Sequence, residues 1–80
     1  MIGLEKALKK ANKYYNNLVI SVGSELSDSF VFGYAYLNGT PAYGIKPVRV
    51  MKDDGEITEW DTMKHSKEFQ EKFLREINLK

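Results

Sequence analysis

The sequence predicts an α+β protein in which a four-stranded antiparallel sheet is flanked by one helix at each end of the chain. Three patterns support this: apolar residues at helical spacing near both ends, alternating side chains over residues 30–37, and hairpin signals at Asn38-Gly39 and Asp53-Asp54-Gly55. The connections between strands are too short for a crossover helix, so the sheet is an antiparallel meander. We expect a single domain, residues 1–80, with the order α-β-β-β-β-α and both helices packed on one face.

The first helix is predicted over residues 2–16. Its apolar residues recur three and four positions apart and share one face: Leu4, Ala7, Leu8, Ala11, Tyr14, Tyr15 and Leu18. The other side carries Lys6, Lys9, Lys10 and Lys13. Asn16-Asn17 is a suitable end, because asparagine tolerates the left-handed conformation that often closes a helix.

Two strands are expected next. Residues 18–22 are short and rich in β-branched side chains, which favours a strand, and residues 23–29 read as a polar loop. In the strand predicted at 30–37, one face carries Phe30, Phe32, Tyr34 and Tyr36.

Asn38-Gly39 predicts a two-residue type I′ hairpin, which needs positive φ at both positions. That loop would place Tyr34 opposite Tyr43, Phe32 opposite Ile45 and Gly33 opposite Gly44, with a return strand over 42–51. A second hairpin at Asp53-Asp54-Gly55 would join residues 48–51 to residues 57–60.

The last helix is predicted over residues 66–79. Ser66 is a suitable N-cap, and Glu68 lies in the first turn, where the helix dipole favours negative charge. Phe69, Phe73 and Ile77 follow one another at a spacing of four and form an apolar stripe.

Charge and composition exclude several classes of protein. Twelve basic and eleven acidic residues give a net charge of +1, which argues against a broad electrostatic nucleic-acid binder. The absence of cysteine excludes disulfides, thiolate nucleophiles and cysteine-bound metals. We expect no cofactor and no metal. Since no apolar run could span a bilayer and the N-terminal residues lack a signal peptide's apolar region, we expect a cytoplasmic protein without membrane contact.

Catalytic signals are weak. His65 is the one histidine, and Asp61 lies four residues before it, but a polar loop residue is the simpler interpretation of His65. The serines lack a nucleophile-elbow context, and the chain has no glycine-rich phosphate loop. We therefore expect a protein that is not an enzyme.

The acidic segment is the strongest candidate for a binding surface. It places five carboxylates within nine residues, with no basic residue between them: Asp53, Asp54, Glu56, Glu59 and Asp61. One interpretation is an ordinary solvated turn. The other is an acidic edge that binds a partner, with Trp60 as its aromatic anchor. Trp60 is equally compatible with a place in the core beneath the last helix.

The aromatic stripe has two interpretations as well. An aromatic sheet face can stack single-stranded bases, and the lysine face of the first helix would assist such binding. A place in the core is the commoner explanation of such a stripe, with tyrosine hydroxyls reaching water at the rim.

A family resemblance centres on residues 47–57, Pro-Val-Arg-Val-Met-Lys-Asp-Asp-Gly-Glu-Ile. This segment resembles the Pro-apolar-x-Val-x-Lys-x-x-Gly-Glu-Ile segment of the YrhB-like immunity proteins of bacterial polymorphic-toxin systems. The alanine-containing first helix and the short helix near Ser66 fit the same order. The resemblance implies a non-enzymatic protein that binds a cognate toxin domain and occludes it.

We add the hypothesis that the acidic hairpin suits a basic cleft on that toxin. Two alternatives stay open. One is an accessory protein that binds nucleic acid through the lysine helix and aromatic face. The other is a small structural protein, of prophage origin, that dimerises through an exposed sheet edge.

Overall fold

The structure, a computed structural model, describes residues 1–40 and 44–79. Five strands form one antiparallel sheet in the order β4-β3-β2-β1-β5. The elements in chain order are α1 (Leu4–Tyr14), β1 (Leu18–Leu26), β2 (Ser29–Tyr36), β3 (Val48–Met51), β4 (Ile57–Glu59), α2 (Ser66–Lys72) and β5 (Phe73–Glu76). The predicted α+β class and antiparallel sheet are confirmed.

The larger core lies between α1 and the sheet. Ala7 and Ala11 are fully buried, so small side chains bring the helix backbone close to the strands. The buried residues around them are Phe30, Phe32, Tyr34, Val48, Val50 and Ile77. The Tyr34 hydroxyl donates a 2.6 Å hydrogen bond to the carbonyl of Ala11. The aromatic stripe is therefore core, except for the half-exposed Tyr36 at the strand end.

A smaller core lies on the opposite face of the sheet. It contains Leu26, Val31 and Trp60, and Phe69 of α2 packs against it. Val31 points away from Phe30 and Phe32, because successive side chains of a strand alternate between faces. The expectation that both helices pack on one face is therefore wrong: α1 and α2 lie on opposite faces.

β1 is longer than predicted. It continues through residues 23–26, where a polar loop was expected, and pairs with β2 as far as Glu25 opposite Phe30. Gly23 suits this pairing, because a Cβ at that position would lie 3.1 Å from a ring carbon of Phe32 and would crowd the ring. The turn between β1 and β2 is thereby reduced to Ser27 and Asp28.

The first hairpin differs from the predicted type I′ turn. Gly39 has a φ of 88°, whereas Asn38 keeps a negative φ. The amide of Gly39 donates to the Tyr36 carbonyl, and the amide of Tyr36 donates to the Thr40 carbonyl, both at 2.9 Å. These bonds enclose a three-residue loop with glycine in its left-handed position.

The register of the next strand is not the one that the loop alone would set, because Tyr36 opposite Thr40 would place Phe32 opposite Gly44 in a continuous ladder. Phe32 pairs with Val48 rather than with the predicted Ile45, so the return side carries four more residues than β2 does between these two points. The pairs between β2 and β3 end there and do not include the predicted pair of Gly33 with Gly44. β3 begins only after Pro47, which has no amide hydrogen to donate to a ladder. The predicted pairing of Tyr34 with Tyr43, and the start of the return strand at residue 42, lie outside the described residues.

The last predicted helix ends early. α2 stops at Lys72, and residues 73–76 form β5, which pairs with β1. The amide of Ile77 then donates to the carbonyl of Gly23 at 2.9 Å. This pairing satisfies outer backbone groups of β1 at residues 23–26, which a helix over residues 73–77 would leave without this partner strand.

Candidate functional site

The acidic hairpin, defined here by Asp53, Asp54, Glu56 and Glu59, is the turn between β3 and β4 together with β4 itself. Gly55 supplies the left-handed residue, with a φ of 74°. Its amide donates to the Met51 carbonyl at 3.0 Å, and the amide of Met51 donates to the Glu56 carbonyl at 2.9 Å. The carboxylate of Asp54 accepts a 2.9 Å bond from the amide of Glu56. The predicted hairpin at this position is confirmed.

The hairpin is held against α1 and the residues that precede it. The amide of Ile2 donates a 2.8 Å hydrogen bond to the carbonyl of Lys52. The Lys10 side chain crosses the turn so closely that a Cβ on Gly55 would lie 3.0 Å from its Cε. Ile57 packs against the larger core. These contacts fix the turn relative to the fold.

The four carboxylates of the acidic hairpin are exposed to solvent. Within residues 1–40 and 44–79, none of them takes part in an ion pair. The Lys10 side chain also lies at this turn, where its positive charge moderates the negative potential, and it forms no ion pair among the described residues. Carboxylates in this state can meet an incoming cationic surface without first breaking an intramolecular ion pair.

Three carboxylates elsewhere are already bound to cations. Glu25 accepts hydrogen bonds from Lys52 and from Arg75, each at 2.8 Å, and these hold the pKa of its carboxyl below the usual value. Glu68 accepts hydrogen bonds from Lys72 and Arg49, each at 3.1 Å. The pKa of the Glu68 carboxyl is lowered, and the bond from Lys72 is the largest cause.

Asp28 completes this set. Burial pushes the pKa of its carboxyl up, but hydrogen bonds from Lys72 and Ser29 outweigh burial and leave the pKa lowered. Lys72 lies 2.7 Å from Asp28, and that bond raises the pKa of the ammonium group. These three carboxylates are thus engaged in ion pairs within the fold, whereas the carboxylates of the acidic hairpin are in none of the described ion pairs.

Trp60 is not the exposed anchor that one interpretation required. Its side chain is 3% exposed in the smaller core, with the Arg49 guanidinium carbon 4.9 Å from the ring centre. The ring of His65 stacks on Trp60 at 5.4 Å between centroids. The other interpretation, a core residue beneath the last helix, is therefore the one the structure bears out.

Asp61 also lies apart from the hairpin surface. It is partly buried, and its Oδ1 accepts bonds from the amides of Met63 and Lys64 at 3.0 and 3.2 Å. The His65 imidazole does not approach this carboxylate; its Nδ1 lies 3.9 Å from Glu68 instead. The Asp61–His65 pair considered from the sequence thus does not form.

Tyr14 adjoins the acidic hairpin, which the sequence did not reveal. Its hydroxyl donates a 3.2 Å hydrogen bond to Oε2 of Glu59, and its side chain is 37% exposed. The pKa of the Tyr14 hydroxyl is raised, mainly by partial desolvation and secondly by its hydrogen bond to Glu59. The helix ends at Tyr14, and Tyr15 has extended backbone, so the two adjacent rings point in different directions although the sequence pattern placed both on one face.

Two further observations concern function classes. The described residues contain no group of three or more histidine, cysteine, aspartate or glutamate side chains placed to hold a metal ion. Neither helix within the described ranges combines the length and apolar character needed to cross a bilayer. No protein-family model, curated protein or solved structure matches this chain at a significant level.

Proposed function

We propose that this protein is a non-enzymatic binding module that occludes a cationic protein partner, in the manner of an immunity protein that blocks a toxin domain. The partner contacts the acidic hairpin. Trp60 and Asp61 lie outside the proposed interface, because the first is buried and the second is engaged in its own turn.

One observation carries the proposal: the carboxylates at Asp53, Asp54, Glu56 and Glu59 are exposed and take part in no ion pair among the described residues. Complementary charge steers association and can raise its rate by orders of magnitude over that of neutral surfaces. A turn already fixed against α1 loses little conformational freedom on binding, which favours affinity.

The resemblance of residues 47–57 to immunity proteins agrees with this proposal. The alternative of base stacking is disfavoured, because Phe30, Phe32 and Tyr34 are buried beneath α1 and offer no open aromatic face. The lysines of α1 remain exposed, but without that face they provide charge alone.

The test is capture of a partner from lysate of the source cells, followed by reconstitution of the complex. We expect one protein to be retained at equal stoichiometry and to lose its own activity when bound. The hairpin variant carries Asp53→Asn, Asp54→Asn and Glu56→Gln, which keeps the acceptor of the Asp54 turn bond. It should weaken binding by about tenfold or more, chiefly through slower association.

The matched control carries Glu5→Gln, Glu71→Gln and Glu76→Gln, three exposed carboxylates outside the described ion pairs. It removes the same charge elsewhere and should bind as the natural protein does. Equal binding by the hairpin variant, or capture of nucleic acid alone, would overturn the proposal. Lys10→Gln should strengthen binding, since it removes a cation that lies against the turn.

A further inference from the structure

Tyr14 and Glu59 form a small exposed unit at the edge of the sheet. The phenol donates to Oε2 of the carboxylate at 3.2 Å, which leaves Oε1 without a described partner. Glu59 is in no ion pair within the described residues. An aromatic ring and a charged carboxylate therefore reach solvent side by side.

The ring of Tyr14 is held in place by a row of tyrosines that extends from the core. Tyr14 meets Tyr15 edge-on at 4.8 Å and 87°, and Tyr15 meets Tyr34 at 4.8 Å and 89°. The inner hydroxyls are fixed by the carbonyls of Lys46 and Ala11. A ring supported in this way presents a fixed surface, so ordering it on binding costs little entropy.

The local field at this place favours a cation. α1 ends at Tyr14, and the carboxyl end of a helix carries partial negative charge on its last carbonyl groups. The Glu59 carboxylate adds a full negative charge, and the face of a tyrosine ring attracts cations. Lys13 in the last helical turn opposes these contributions in part.

The same chemistry already occurs once inside the protein. Arg49 places its guanidinium carbon 4.9 Å from the ring centre of Trp60 and its Nη1 3.1 Å from Glu68. An aromatic ring and a carboxylate together hold that arginine on the other face of the sheet. Tyr14 and Glu59 repeat the ring and the carboxylate at an exposed position.

We infer that Tyr14 and Glu59 form a binding site for an arginine side chain, and that this is the anchor of the interface proposed above, on which the inference rests. The guanidinium lies against the tyrosine ring and donates to Oε1 of Glu59. Arginine is favoured over lysine because its planar group stacks on aromatic rings and offers several donors to one carboxylate.

The test needs no partner protein. The probe is a tripeptide, acetyl-Gly-Arg-Gly-amide, titrated into the isolated protein while NMR chemical shifts are followed. The comparison peptide carries citrulline, which has nearly the shape of arginine without its charge. We expect saturable shifts at Tyr14 and Glu59 with the arginine peptide and none with the citrulline peptide.

Variants locate the site. Tyr14→Leu removes the ring and should lower the affinity for the arginine peptide by roughly two- to fivefold, whereas Tyr14→Phe should retain most of that affinity. Glu59→Gln should abolish saturable binding. Tyr36→Leu is the matched control, because Tyr36 is 45% exposed and has no described bond to a carboxylate.

Equal shifts with citrulline, or unchanged binding by Tyr14→Leu, would overturn the inference. So would shifts confined to other carboxylates. If the arginine peptide binds at Tyr14 and Glu59 but the hairpin variant captures the partner as well as the natural protein does, the proposed function is refuted and the arginine site stands. If partner capture depends on the acidic hairpin but the arginine peptide does not bind at Tyr14, the arginine site is refuted and the proposed function stands.

Discussion

The guanidinium of Arg49 and the ring of Trp60 lie 4.9 Å apart, with the His65 ring stacked on the same indole. Trp60 thereby contacts β3 through Arg49 and the loop before α2 through His65. It contacts α2 itself through Phe69. We expect Trp60→Ala to lower the free energy of unfolding by about 3–5 kcal/mol, because it leaves a large cavity in the smaller core. Urea denaturation followed by circular dichroism measures this.

Trp60→Phe should cost less, since a ring remains in the site. Met63, 87% exposed a few residues away, supplies the control substitution Met63→Ala, which should leave the midpoint unchanged. A loss below about 1 kcal/mol for Trp60→Ala would contradict the packing described for the smaller core.

The hydrogen bond from Tyr34 to Ala11 gives a second prediction. The pair is buried, and Tyr34→Phe leaves the Ala11 carbonyl without that donor. We expect a loss of about 1–2 kcal/mol in unfolding free energy. Tyr36→Phe, at the exposed end of the same strand, should change it very little. Equal effects of the two substitutions would contradict a specific role for this bond.

Gly39 and Gly55 both have positive φ, but only at Gly55 would an added Cβ crowd a neighbouring side chain, so alanine substitutions at the two positions distinguish the cost of backbone strain from the cost of crowding. Gly39 has open space where a Cβ would stand, so Gly39→Ala should cost about 1 kcal/mol from strain alone. Gly55→Ala should cost more, because its Cβ also meets the Lys10 side chain. Thermal unfolding of both variants gives the comparison. If Lys10→Ala is combined with Gly55→Ala, the excess over Gly39→Ala should shrink; an undiminished excess would exclude crowding by Lys10.

Glu25 predicts a dependence of stability on pH. Lys52 and Arg75 hold its folded pKa below that of the unfolded chain, so the unfolded state binds more protons in acid. Its contribution is fully present above the unfolded pKa of about 4.3 and is lost as the pH falls through the folded pKa. Glu25→Gln should therefore cost about 1 kcal/mol near neutral pH and converge with the natural protein in acid.

Urea midpoints measured from about pH 7 down to about pH 3 test this convergence. Glu71→Gln, an exposed carboxylate outside the described ion pairs, should follow the natural protein throughout. A constant gap between Glu25→Gln and the natural protein at every pH would show that the charge of Glu25 is not responsible for its contribution.

The elements that the sequence predicts well are those with a local cause. The first helix, the aromatic strand and the turn at Gly55 follow from periodicity and turn chemistry, and each is present. The sequence did not predict β5, because this strand forms by pairing with the distant strand β1. Phe69, Phe73 and Ile77 have helical spacing, but residues 73–76 pair with the edge of β1 instead of continuing the helix. Local pattern cannot report a partner some fifty residues away.

The candidate site divides in the same way. The acidic hairpin is contiguous in sequence, so its carboxylates could be recognised directly. Trp60 had two compatible places, and only the packing of Arg49, His65 and Phe69 around it decides between them. Tyr14 joins the site through Glu59, a contact between residues far apart in the chain that no local pattern encodes.

The position of β5 beside β1 also has a consequence for biosynthesis. Among the five strands of this sheet, β1 is synthesised first and β5 last, yet they are neighbours. Until residues 73–77 are synthesised, the outer edge of β1 at residues 23–26 has no strand to pair with, and such an open edge can pair with a foreign strand. The growing chain is therefore vulnerable to misassembly at this edge between the synthesis of β1 and the synthesis of β5, and faster elongation over that interval should reduce the exposure.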